Sequence, residues 1–180
     1  MIGLKRGTVA ISEHRSEWKK VAAASITELK AIFGEKAVDI QHIGSTAIEH
    51  IKAKPIIDIA VGVRSFDGLE AVKMHLKEVG YAEANNRFSS DLLFVINDAE
   101  NRRTHQVHVL IYGCEQWRNY VDFRDYMNLF PEKALEYERL KARLVAECDN
   151  VQTRYTDGKR EYMLKTLAEA REFMQKRRNG

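Results

Sequence analysis

One charged residue interrupts an otherwise apolar stretch: Asp58, inside Ile56-Ile57-Asp58-Ile59-Ala60-Val61-Gly62-Val63. A carboxylate buried without a partner is costly, so Asp58 is expected to face a cleft, a cation or a hydrogen-bond donor. Upstream stands the tight turn Gly44-Ser45-Thr46, in which Thr46 and Glu49 have the spacing of a helix capping box. A turn that opens a helix offers free backbone N–H groups to phosphate oxygens, and glycine lets a ligand approach the backbone closely. A carboxylate on the neighbouring strand then holds Mg2+ or Mn2+ between the phosphates of a nucleoside triphosphate. This is the geometry of nucleotidyl transfer. The same spacing is also met by a capped helix beside an Asp that pairs with a Lys or Arg, and both readings stand on spacing alone.

Further side chains fit either reading. His42 and His108 are candidates for metal ligands beside Asp58, with His108 also a candidate acid-base group. The alternative for each is a hydrogen-bonded histidine bracing the sheet. His105 and His108 are three apart in one strand and so point to opposite faces. Lys54, extended because Pro55 follows it, can neutralise a phosphate or pair with a carboxylate. Lys159 opens the last helix in this reading, a poor place for a cation unless an anion binds there. Arg124 is expected in a salt bridge with a nearby Asp. Tyr155 and Tyr162 read as core or rim aromatics.

Periodicity supplies the elements that must place these groups. A helix over 12–33 buries Trp18, Ala22, Ser25, Leu29 and Phe33 and stops at Gly34. Strands are predicted over 37–43 and 56–63, the second covered on both faces. A helix over 66–79 follows, then strands over 92–96 and 107–112. After Gly113 the pattern is helical, with one side carrying Trp117, Tyr120, Phe123, Met127 and Phe130. Pro131 restarts a helix carrying Tyr137, Leu140 and Leu144, and a final helix over 158–177 completes the chain. A helix-and-strand mixture with a helical last third predicts an α/β (α+β) class and one domain over residues 1–180.

Composition narrows the function. The 180 residues carry 29 Lys and Arg against 26 Asp and Glu, a net charge of +3. That excess is too small for duplex nucleic acid as the main partner. The two cysteines, Cys114 and Cys148, have neither zinc nor disulfide spacing. No apolar run approaches a membrane span, and no signal core is visible, so the expected compartment is the cytoplasm.

Longer words carry a resemblance. Gln41-His42-Ile43-Gly44-Ser45-Thr46-Ala47 with Ala53-Lys54-Pro55-Ile56-Ile57-Asp58-Ile59 resembles the signature of the GrpB family. Thr104-His105-Gln106-Val107-His108-Val109 resembles its histidine-rich strand. Phe123-Arg124-Asp125-Tyr126 with Pro131, then Tyr137 with Leu140-Lys141 and Tyr155 with Lys159 and Tyr162, resemble its helical blocks. The resemblance runs from about Val9 to Phe173. It implies a nucleotidyltransferase-like fold, a mixed β-sheet flanked by helices. Ile43, Gly44, Ser45 and Asp58 match the superfamily's pattern; together with the residue readings above, the candidate site is Gly44, Ser45, Thr46, Lys54 and Lys159 for phosphate, Asp58 and His108 for chemistry, and Asp58, His108 and His42 for a metal. GrpB-like domains also occur fused to dephospho-CoA kinase, which implies tolerance of a supporting role. Two departures matter. Ala60 stands where the superfamily carries a second carboxylate, and Gln41 where glutamate is common. The expectation is therefore a protein that binds a nucleotide or other phosphorylated small molecule with weak or no transfer. Alternatives are an active metal-dependent nucleotidyltransferase acting on a small molecule or protein, and a metal-dependent hydrolase or protein-interaction domain.

Overall fold

A computed structural model describes residues 2–5, 7–85, 91–149 and 151–179. The elements run β1 (Leu4–Lys5), α1 (Glu17–Phe33), β2 (Ala37–Ile43), β3 (Ile57–Val63), α2 (Glu70–Glu78) and β4 (Ala82–Ala84). They continue with β5 (Leu92–Asn97), β6 (Arg102–Ile111), α3 (Glu115–Leu129), α4 (Pro131–Glu147) and α5 (Gln152–Asn179). The strands form one six-stranded sheet in the order β2-β3-β6-β5-β4, with β1 paired to β6. β3 and β6 are parallel, and the other pairs are antiparallel. The mixed sheet and helical last third are those expected of the nucleotidyltransferase-like architecture. No helix among the described residues is long and apolar enough to cross a membrane.

Alternation along β3 sorts the molecule into two layers. Ile57, Ile59, Val61 and Val63 pack with Trp18, Ala22, Leu29 and Phe33 of α1 and with Val72 and Leu76 of α2. The five α1 residues expected on its buried face are all buried. Asp58, Ala60 and Gly62 face the other way, toward the C-terminal helices. There Ala60 packs with Ile43, Leu110 and Trp117. Gly62 leaves room for Trp117, since a Cβ on it would meet Tyr112 at 2.8 Å and Trp117 at 3.0 Å. With helices over both faces, a strand like β3 reads as continuously apolar.

Several boundaries differ from expectation. α1 starts at Glu17, because Ser12 instead pairs with Ala53 as an isolated bridge. α2 starts at Glu70, and β6 begins five residues earlier than its apolar pattern, at Arg102, where β1 pairs with it. The final helix begins at Gln152, so Lys159 lies in its second turn and does not open it. The dipole conflict inferred for Lys159 therefore does not arise. Gly158, read as a helix start, is an interior position where a Cβ would run into Leu144 of α4. The capping box at Thr46 is also absent. Ser45–Ala47 is one 3-10 turn, in which Ala47 N–H bonds to Gly44 O and Ile48 N–H to Ser45 O. Thr46 Oγ1 instead donates to Ile56 O, and Asn128 Oδ1 accepts from Glu49 N–H.

Candidate functional site

Gly44 ends β2 where Asp58 begins to cross it, because Ile43 pairs with Asp58. Gly44 has φ +72° and ψ −172°, a region closed to residues with a Cβ. A Cβ there would lie 2.9 Å from Asp58 Cβ and Cγ and closer still to Oδ2. The glycine is thus required twice, by its dihedrals and by the carboxyl group seated against it. Gln106, paired with Asp58 across the parallel β3–β6 ladder, donates from Nε2 to Asp58 Oδ1 at 2.7 Å. Although the cleft leaves Asp58 part-exposed, its dense surroundings push its pKa up. His108, Gln106, Lys54 and Lys159 pull it back down.

The cavity in front of Asp58 has a volume of about 330 Å³. Its floor is Gly44, Ser45 and Asp58, and its walls come from α3, α4 and α5. Three lysines reach it: Lys54, Lys141 and Lys159. Tyr120, Phe123, Tyr137 and Tyr155 supply aromatic surface, and Gln106, Gln116 and Asn119 supply amides. Among the described residues, none of the three lysines makes an ion pair, and Asp58 is the one carboxylate of the lining. Lys141 is 1% exposed; its Nζ donates to Lys52 O at 2.6 Å and sits 4.6 Å from the Tyr137 ring centroid. Burial and the neighbouring Lys159 bring its pKa down to about 7, against the pull of Glu138. Lys159, 4.4 Å from the Tyr155 ring centroid, is brought down to about 8 by burial and Lys54, with Asp58 opposing. Burial lowers Lys54 too, opposed by Asp58 and reinforced by Arg103.

The expected site residues divide. Gly44, Ser45, Lys54, Asp58 and Lys159 line the one cavity. His108 shares the sheet face of Asp58 but stands behind the wall, its Nδ1 2.5 Å from Asp91 Oδ2 and beneath the ring of Tyr120. His42 does not join it. It pairs with Ile59 and so lies on the α1 face, where its Nε2 is 3.0 Å from Thr46 Oγ1. Burial and the Arg124 guanidinium bring its pKa down to about 4. Thr46 is buried on that side as well. The expected metal set of Asp58, His108 and His42 is therefore split by the sheet. Among the described residues no group of three His, Cys, Asp or Glu is placed to hold a metal ion. His105 faces α1 and contacts Ser25 Oγ at 3.2 Å. Arg124 makes the expected ion pair, with Asp125 at 2.7 Å, and also donates to Gln41 Oε1 and His42 O.

A larger cavity of about 500 Å³ lies on the α1 face, between His14, Lys19, His42, Glu49, His50 and Asn128. Its cations are already answered, since Lys19 pairs with Glu49 and Arg124 with Asp125. The smaller cleft has the uncompensated charge. Sequence reasoning missed Lys141, Tyr120 and the amides of α3. The available signal was Lys141 standing one turn after Tyr137 on the face that also carries Leu144.

Comparisons with known proteins bear on the family and the fold. A family model described as GrpB protein matches residues 8–169. The glutamate-rich protein GrpB of Alkalihalophilus pseudofirmus is 38% identical over 173 residues, spanning 94% of this chain and 99% of that protein. UPF0157 protein YqkA of Bacillus subtilis is 33% identical over 173 residues, 96% of this chain but 50% of that longer protein. The crystal structure of the conserved protein GrpB from Enterococcus faecalis superposes with a TM-score of 0.82 at 26% identity. That match covers 92% of this chain and 99% of the other. A shared sequence model, a close relative matched end to end and the same fold leave one conclusion: the chain belongs to the GrpB family.

Proposed function

We propose that the cleft at Gly44-Ser45 and Asp58 binds a nucleotide or another phosphorylated small molecule, and that the protein transfers nucleotides weakly or not at all. The observation that carries the binding half is the charge of the lining, three lysines against one carboxylate in an aromatic-walled cavity. Uncompensated ammonium groups in a partly dry site are costly until an anion arrives, and phosphate oxygens accept several charge-assisted hydrogen bonds at once. Aromatic rings beside such cations suit a planar base or another flat, apolar part of the ligand.

The weak-transfer half rests on Ala60. It is fully buried among Ile43, Leu110 and Trp117, so this position offers neither an oxygen ligand nor space for one. Losing a carboxylate that supports a reacting metal should cost on the order of a thousandfold or more in rate. The close Gly44-Asp58 contact, which only a glycine at this dihedral allows, favours a second reading: an active metal-dependent transferase using Asp58 with ligands from the substrate. Free cysteines and a phosphorylated small-molecule ligand fit a cytoplasmic protein.

Calorimetric titration with nucleoside triphosphates, paired with a labelled-nucleotide transfer assay, tests both halves. Saturable binding with no label transferred is the expected pair of results. Robust magnesium-dependent transfer would establish the second reading, and no binding of any phosphorylated compound would remove both.

A further inference from the structure

The donor set in the cleft does not fit the metal pair that the nucleotidyltransferase-like fold implies. Asp58 is a single carboxylate, with Oδ1 taken by the Gln106 amide and Oδ2 packed against Gly44. The next position on its face is Ala60, sealed under Trp117. Gln41, on the same face, is an amide that accepts from Arg124. Asp91, a carboxylate that could have substituted, is spent on His108 with its side chain fully buried. Asp98, a further carboxylate before β6, pairs with Arg102. These groups supply too few oxygen ligands for a metal pair.

The charge such ions would bring is present in another form. Resting on the phosphorylated-ligand reading above, we infer that this cleft holds its ligand without a metal ion, Lys54, Lys141 and Lys159 together taking the charge-neutralising part. They enter from three separate elements: the segment before β3, the middle of α4 and the second turn of α5. Their ammonium groups are close enough to act on one another, Lys159 on Lys141 and Lys54 on Lys159, which supports a single cluster. With all three charged, three positive charges less the one of Asp58 leave a net +2. A ligand with two or more negative charges neutralises that, which favours a di- or triphosphate group over a carboxylate. The charged groups facing the cluster are few. Asp58 is on β3, Glu138 acts on Lys141 from α4, and Arg103 acts on Lys54 from β6.

The sign of the Asp58 effect separates this from a metal site. In a lysine site the carboxylate repels the ligand's phosphates, so its neutralisation leaves binding unchanged or tighter. In a metal site it holds the ion, so its neutralisation removes binding. The experiment is calorimetric titration of the full chain with ATP and with inorganic triphosphate, once in EDTA and once in excess Mg2+. The expected results are binding in EDTA at least as tight as in Mg2+, and unchanged or tighter binding in Asp58→Asn. Lys54→Met and Lys159→Met, which keep the stems packed, should each weaken ATP by about tenfold or more. They do not disturb the Lys141–Lys52 bond that fixes α4 to the loop. Binding seen only with Mg2+ and lost in Asp58→Asn would overturn the inference while leaving the phosphorylated-ligand reading intact. No binding under either condition would overturn both.

Discussion

Replacing Gly44 by alanine should damage stability and the cleft together. At φ +72° and ψ −172° an alanine backbone is in a region that costs about 1–3 kcal/mol. The added methyl would sit 2.9 Å from Asp58 Cβ, and the β2–β3 pairing of Ile43 with Asp58 leaves neither strand free to retreat. Overpacking of this kind adds about 1–3 kcal/mol. A total of about 2–6 kcal/mol corresponds to a melting-temperature loss of about 4–24 °C for a chain of this size. Gly80→Ala is the comparison, since Gly80 also has a positive φ, +95°, but nothing lies within 4 Å of its Cβ position. It should show the dihedral cost alone. Differential scanning calorimetry of the two variants and the parent decides the matter. Equal losses in both variants, or a Gly44→Ala protein melting within about 2 °C of the parent, would refute the claim that Asp58 is seated against this turn.

Asp58→Ala should melt within about 3 °C of the parent, because the lost Gln106 bond is offset by removing a desolvated carboxyl group; a much larger loss in a thermal melt would make Asp58 a structural residue. The ligand-free protein should gain stability as pH rises from about 7 toward 10, read by urea unfolding. Lys141 is depressed to about 7 in the folded state, so above that pH the unfolded chain binds the extra proton, at up to about 1.4 kcal/mol per pH unit. Lys141→Met should reduce that slope, leaving the part that Lys159 contributes above about 8, and an unchanged slope would refute the depressed amine. For the same reason affinity for ATP should fall as pH rises through about 7 to 8, where Lys141 and Lys159 lose their protons; a flat titration series would contradict it. Gly62→Ala should lower the urea midpoint and shift tryptophan emission, because its methyl displaces Trp117; an unchanged spectrum would show that the ring has room.

Local physics explains which parts of this were readable in the sequence. The buried face of α1 follows from helical spacing, and the apolar run of β3 from being covered on both sides; neither needs distant information. The opposite facing of His105 and His108 follows from strand alternation and is what the pairing gives. The partner of His42 was not readable, because which face of β3 it shares depends on the β2–β3 register. Gly158 misled for a different reason: a glycine can mark a helix end or a close approach, and only the position of Leu144 decides. Lys141 was hidden longest. A lysine on a helix is usually solvated, and the carbonyl that holds this one belongs to Lys52, far away in sequence. β1 and β4, of two and three residues, are too short to leave a periodic trace.

The most direct test is a crystal structure of the protein with ATP bound. The account predicts phosphate density between Gly44-Ser45 and the Nζ atoms of Lys54 and Lys159, with the base against the tyrosines of α3, α4 or α5. Density in the α1-side cavity beside His42 and Lys19, or none at any concentration at which ATP binds in solution, would contradict it.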